Sequence, residues 1–416
     1  MIPRFSPATT PWETARFLLD AMSPGAGDGA RVARFEEAFA RWQGARHVLF
    51  VPSGRMGLYL LLAAAGYPRG AEVVVPGFTY FAIPAMLRHL GLRVVYADVE
   101  PTTYEISAAT VEAVITSETR AIIPTHLFGR TCPMDGLEVL ARSRGLDLIE
   151  DCAQACGARS GDLRAGSRGR AAYFTFGITK NFSTYSGGVV ATSDDALAAD
   201  MRGLMAGFAP AGRGALIKQG ITAGAMNVAT WPAVFSLSLA PVLRRARVSD
   251  ADPVHLRFEE AVAPITDDQI DRLRWLPGAA QAAAGLRQLA TVDARNEERR
   301  RLGAALTAAL EDRGVPGGPA PAAPDGDHIY VSFALRRSSR ERFGGHLRRA
   351  GIDFSPGYMT ACSRLPELGG TPGRCPEAEA VEREIVHLPL YPGLRDADIG
   401  RIADGVAAAD RAVEAP

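Results

Sequence analysis

Short apolar runs centred near residues 48, 73, 94, 122, 148, 173 and 189 recur along the first half of the chain. Runs of this length, with no polar residue at alternate positions, predict strands covered on both faces. Between most of them apolar side chains fall three and four apart, which predicts amphipathic helices. Helical spacing covers residues 11–22, 30–42, 58–65, 84–90, 108–115 and 134–144. The alternation predicts an α/β fold: a mainly parallel seven-stranded sheet sandwiched by helices. Further on, 276–289 and 291–311 read as helices, 329–334 as a strand, 341–350 and 375–386 as helices, and 397–413 as a closing helix. The expected organisation is a large domain over 1–290 and a smaller C-terminal α+β domain over 291–416. The charged run 295–301 reads as a solvated helix face. Residues 24–28 and 314–327 read as loops.

One region breaks the pattern. Within 205–273, Lys218 precedes an apolar stretch over 220–242, followed by Arg244, Arg245 and Arg247. Pro232 and Pro241 interrupt it, and it is too short for a membrane span. Three readings stay open for 218–247: an arm packed on a partner subunit, a peripheral membrane-facing element with its arginines at lipid headgroups, or a buried core helix.

Composition narrows the class. A chain of 416 residues suffices for two domains, and its formal net charge of zero gives no bulk attraction to nucleic acid. Five cysteines, an odd number with no CxxC pair, fit a reducing cytoplasm without a structural disulfide or zinc site. The N-terminus lacks the basic start and apolar core of a secretory signal. The expected location is therefore cytoplasmic, with peripheral membrane association if 218–247 faces lipid.

Ligands of parallel sheets bind beyond the strands' carboxyl ends. Gly54, Tyr80, Asp151 and Lys180 all fall at or past such ends. A carboxylate at one strand end and a lysine past another are what pyridoxal phosphate (PLP) chemistry requires. The lysine forms a Schiff base with the cofactor aldehyde, and the aspartate keeps the pyridine nitrogen protonated so that the ring accepts electrons. Singly, each residue has a plainer reading, Lys180 as a solvated loop residue and Asp151 as a turn or cap. Together with Phe176, Gly177, Ile178 and Phe182, which surround Lys180 with few charges, they favour a nucleophilic amine. Ser53-Gly54-Arg55-Met56-Gly57 opens a helix and presents amide N–H groups to an anion, or is an ordinary turn. Tyr80 either stacks on a ring or packs in the core. His126 is either catalytic or a satisfied structural histidine.

The stretch 147–193 resembles the DegT/DnrJ/EryC1/StrS aminotransferase family, sugar aminotransferases of PLP fold type I. Glu150-Asp151-Cys152-Ala153-Gln154-Ala155 resembles its EDAAQA motif, Thr175 to Asn181 its SFxxxKN motif, and Gly187-Gly188 its closing glycines. Ser53-Gly54-Arg55-Met56 sits where the family has its SGTxAL phosphate turn, and residues 76–80 resemble PxxT[FWY]. Residues 276–289 and 387–394 match two further segments. The resemblance implies Lys180 and Asp151 as catalytic residues. It implies a cofactor site of Gly54, Arg55, Met56, Tyr80, Asp151, Gln154, Thr175 and Lys180. It further implies a homodimer with shared active sites. Arg274 stands where the family has an asparagine reaching the neighbour's PLP phosphate, Ser186 where it has a glutamate, and Gly357-Tyr358-Met359-Thr360 where it has PLHxQ. The implied activity moves an amino group from an amino acid, glutamate or glutamine, to a keto group of a sugar, cyclitol or related small metabolite. The alternatives are a dehydratase or eliminase of the same fold, which retention of Lys180 disfavours, and a non-catalytic regulator or membrane-associated protein.

Overall fold

The computed structural model describes residues 1–23, 29–245, 262–315 and 326–414. The expected loop at 24–28, most of that at 314–327, and Arg247 lie outside them. Strands β1 (His47–Val51), β2 (Glu72–Pro76), β3 (Arg93–Ala97), β4 (Thr119–Ile122), β5 (Asp147–Asp151), β6 (Ala171–Thr175) and β7 (Gly188–Thr192) form one seven-stranded sheet. Its order is β1-β7-β6-β5-β4-β2-β3, with β7 antiparallel to both neighbours and the other pairings parallel. Val73, Val74 and Val75 are wholly buried, as unbroken apolar strands must be when helices cover both faces.

Helices α1 (Pro11–Met22), α2 (Gly29–Gln43), α3 (Gly54–Ala65), α4 (Ala82–His89), α5 (Ala108–Glu112), α6 (Met134–Arg144), α7 (Asp195–Met205), α8 (Arg213–Ala229) and α9 (Pro232–Arg245) flank or follow these strands. One face packs Leu60, Leu61, Met86 and Leu137 against the sheet. The other packs Phe35 and Phe39 of α2 against Phe50, Phe174, Phe176 and Phe182. Helix α3 starts because Ser53 caps it, its side chain accepting the Met56 N–H at 3.2 Å, and stops at Gly66, whose φ of 65° suits glycine.

Beyond α10 (Asp267–Asp271), α11 (Ala279–Leu289) and α12 (Val292–Glu311), a second hydrophobic cluster gathers α12, α13 (Arg340–Arg349) and α15 (Asp396–Glu414) around the antiparallel pair β8 (Phe333–Arg336) and β9 (Ile385–Leu388). Two expectations are corrected here. The strand expected over 329–334 begins only at Phe333, because Tyr330 takes a left-handed φ of 44°. The helix expected over 375–386 is α14 (Pro376–Glu384), after which Ile385–Leu388 pairs with β8.

The described part of the aberrant region, helices α8 and α9, buries some side chains and exposes others, so it is not a wholly buried core helix. Leu216, Gly220 and Ala223 of α8 pack against α1 around the stacked rings of Phe17 and Tyr185, 3.9 Å apart. Ile221, Val228, Trp231 and Leu237 are exposed, the last at 84%. No single described helix is long and apolar enough to cross a membrane; Arg213–Ala229 and Pro232–Leu243 reach that composition only as a pair bent by 88°.

Candidate active site

The carboxyl ends of β1, β5 and β6 and the start of α3 open onto one cavity of about 410 Å³. Gly54, Arg55, Tyr80, Asp151, Gln154, Thr175 and Lys180 all line it. The convergence is built by close backbone approaches. A Cβ on Gly54 would lie 3.0 Å from Thr175 Cβ, and one on Gly188 only 2.1 Å from the Phe174 carbonyl oxygen. Glycine at both positions therefore lets α3, β6 and β7 meet at the cavity floor.

Asp151 is buried, and its Oδ1 accepts the Ala153 N–H at 2.9 Å. Burial pushes its carboxyl up; the Ala153 amide and the Lys180 cation pull it back only in part. A cation brought against this carboxylate would restore its charge. Lys180 is half-buried beyond β6 in a turn closed by its own N–H on the Gly177 carbonyl at 3.1 Å. Its Nζ stands 5.3 Å from the centroid of the Tyr358 ring. Next to it Asn181 donates to the Cys156 carbonyl at 2.9 Å and to Asn296 of α12 at 3.3 Å, which ties the lysine turn to the far helix.

Two buried polar atoms at this cavity lack partners among the described residues. Gln154 Oε1 accepts the Phe128 N–H at 3.2 Å, but Gln154 Nε2 has no acceptor. The Tyr173 hydroxyl, beside Asp151, makes no hydrogen bond of acceptable geometry. An orphaned buried donor costs about 1–3 kcal/mol, so a cavity carrying two is shaped for a polar guest. A buried carboxylate, a facing amine, a helix start and unused donors fit a phosphorylated, protonatable heterocycle with an aldehyde, such as PLP.

Other sequence candidates lie elsewhere. The Met56 side chain is in the core, and its amide is taken by Ser53. Arg274 is exposed and pairs with Asp271 at 3.3 Å, outside its own chain's cavity. Ser186 donates to Gln219 of α8 at 2.8 Å and accepts from Gln281 of α11 at 2.7 Å, joining the glycine turn to both helices. His126 is fully buried and satisfied on both nitrogens, by Glu150 at 2.9 Å and the Cys132 amide at 3.0 Å. Burial pushes Glu150 up, but His126 and the Gly169 and Gly166 amides outweigh it and hold the carboxyl low. His126 is thus the structural histidine.

Tyr358, His387 and Arg299, which no sequence pattern marks as site residues, also line the cavity. Tyr358 lay in the segment that departs from the family pattern, which was its only signal. His387 pairs its Nδ1 with the Ser332 hydroxyl, and burial, then Arg340, lowers its pKa to about 3. Arg299 lies inside the charged run 295–301, whose pattern predicts a solvated face, yet it is only 6% exposed.

A family model described as the DegT/DnrJ/EryC1/StrS aminotransferase family matches residues 20–243 and 278–407. The break, 244–277, is shorter than the region 205–273 whose pattern departs from the rest of the chain. A dTDP-3-amino-3,4,6-trideoxy-alpha-D-glucose transaminase of Micromonospora megalomicea subsp. nigra is 29% identical over 88% of this chain and 86% of its own. A pleiotropic regulatory protein of Geobacillus stearothermophilus is 28% identical over the same shares of the two chains. Among solved structures, S. venezuelae DesV in complex with a ketimine intermediate is 28% identical, covers 96% of this chain and 95% of its own, and has a TM-score of 0.73.

Proposed function

The chain belongs to the DegT/DnrJ/EryC1/StrS aminotransferase family, and from that premise we propose that it moves an amino group from glutamate or glutamine to a keto group of a sugar or related metabolite. It is an aminotransferase, and PLP is its cofactor. The observation that carries the reading is the meeting of Lys180, Asp151, the α3 start and two orphaned polar atoms in one cavity. Bound there, PLP supplies an electron sink that stabilises negative charge on the donor's Cα.

The protein's part is to hold and to move protons. Asp151 would hold a proton on the cofactor's ring nitrogen. Lys180 would anchor the cofactor, and its free amine would take up a proton from the donor and return it as general base and general acid. The Gly54 and Arg55 end of α3 would receive the phosphate, where amide N–H groups and the helix dipole favour an anion. Thr175 and Tyr80, which line the cavity, would contact the ring, and Gln154 Nε2 would supply its unused N–H. Met56 contributes packing. The transaminase name of a relative aligned over most of both chains supports a sugar acceptor. We further propose a homodimer in which Arg274 reaches the partner's cavity, a division near residue 290 between the cofactor-binding part and the C-terminal part, and a cytoplasmic setting consistent with five buried, unpaired cysteines.

Lys180→Ala tests the assignment. Turnover with an amino-acid donor should fall at least about 10²–10⁴-fold, the span of general acid–base catalysis, with the circular dichroism spectrum unchanged. Multiple turnover near the wild-type rate would sink the role. The name of the Geobacillus relative supports a second reading, a non-catalytic regulator. A visible cofactor band that bleaches with donor favours transfer; a protein purified and reconstituted without that band favours the regulator.

A further inference from the structure

The cavity's charge is lopsided. Among its lining residues Asp151 is the only carboxylate, whereas Arg4, Arg55, Lys180 and Arg299 are cations. Arg4 is balanced by Asp353, its Nε 2.7 Å from the carboxylate. Arg295, one turn before Arg299 on α12, is balanced by Glu13 at 3.2 Å. Arg299 has no ion pair among the described residues. It makes two hydrogen bonds, both long and both from Nη1, to the Tyr330 carbonyl at 3.3 Å and the Leu390 carbonyl at 3.4 Å. Its Nε and Nη2 have no protein acceptor among the described residues. A guanidinium this deeply buried without a counter-charge is costly unless an anion completes it. Burial and Arg295 lower its pKa to about 10, which leaves it charged at neutral pH.

We infer that Arg299 forms an anion subsite for a carboxylate of the amino-acid donor, a role resting on the proposed aminotransferase reading. The Nε–Nη2 edge presents parallel donors at the spacing of two carboxylate oxygens. The two carbonyls on Nη1 fix the plane of the fork, so little freedom is lost on binding. Because Arg4 and Arg295 are already neutralised, the subsite offers one net positive charge, which matches a carboxylate better than a diphosphate. Leu388, Leu390 and Val331 line the cavity with it and restrict water, strengthening a charged hydrogen bond there.

The test uses the cofactor-loaded protein and glutarate, a dicarboxylate with no group that can react. Calorimetric titration should show wild type binding glutarate and Arg299→Gln binding it about 10- to 100-fold more weakly, as expected for losing a charged hydrogen-bonded pair. Arg299→Lys, which keeps the charge and can still donate to a carbonyl, should fall between, and thermal melts identify any variant that has unfolded. Equal glutarate binding by wild type and the Gln variant, or no binding by wild type, overturns the inference. So does a result in which inorganic pyrophosphate, not glutarate, depends on Arg299. If no donor bleaches the wild-type cofactor band yet glutarate binding still depends on Arg299, the proposed reaction falls and the subsite stands.

Discussion

At the scale of single residues the site works by contrast. Asp151 is held in a place that disfavours its charge until a cation arrives, which is the condition for gripping a protonated ring nitrogen. Asp151→Asn should keep cofactor but lower kcat about 10²–10³-fold, the usual effect of removing one preorganised electrostatic contact; an unchanged kcat would assign the ring nitrogen to another group. His387 and His328 are both buried with pKa lowered to about 3, by desolvation first. Below pH 6.5 the unfolded chain takes up protons that the folded one refuses. Their contribution is therefore complete above pH 6.5 and shrinks as pH falls toward 3, by about 1.4 kcal/mol per unit for each histidine. Urea unfolding at pH 7, 5.5 and 4.5 should show this loss, and His387→Asn should show a shallower one. Identical slopes in the two proteins would remove His387 from the account.

At the scale of elements, local pattern was enough where segments fold on local terms and failed where a distant partner decided. The seven apolar runs all became strands of one sheet, because continuous apolar strands have no stable place except between helical layers. By contrast, residues 385–388 lie at the end of a helical pattern, and only pairing with Phe333–Arg336 makes them a strand. Gly188 shows how tightly elements meet at the site. Gly188→Ala would drive a methyl into the Phe174 carbonyl, and should cost about 1–3 kcal/mol or more in urea unfolding, with weakened cofactor binding. A variant with wild-type stability would mean that β6 and β7 separate freely.

At the scale of the whole molecule, α8 and α9 carry an exposed apolar surface. Trp231 and Leu237 are exposed there, while Trp12, Leu19 and Met22 are exposed on α1, which packs on α8. A partner subunit is the first reading of this face and a lipid surface the second. The double substitution Trp231→Lys with Leu237→Glu should convert dimer to monomer in light scattering if the first holds. It should abolish vesicle co-sedimentation with the dimer intact if the second holds. No change in either assay would make the face a dispensable surface.

What the sequence determined by itself was whatever depends on short-range order: the strands, most helix limits, and the chain positions of Asp151 and Lys180 relative to strand ends. Strand ends point one way in a parallel sheet, so those positions already implied a shared site. The tertiary structure alone decided matters set by burial and by contacts between distant segments. Arg299 reads as one solvated charge among many until the packing of α12 encloses it. His126 reads equally as catalyst or scaffold until Glu150 and Cys132 occupy both its nitrogens. Tyr358 has no meaning until its ring is found beside an amine 178 positions earlier in the chain, a distance along the sequence over which no local pattern carries information.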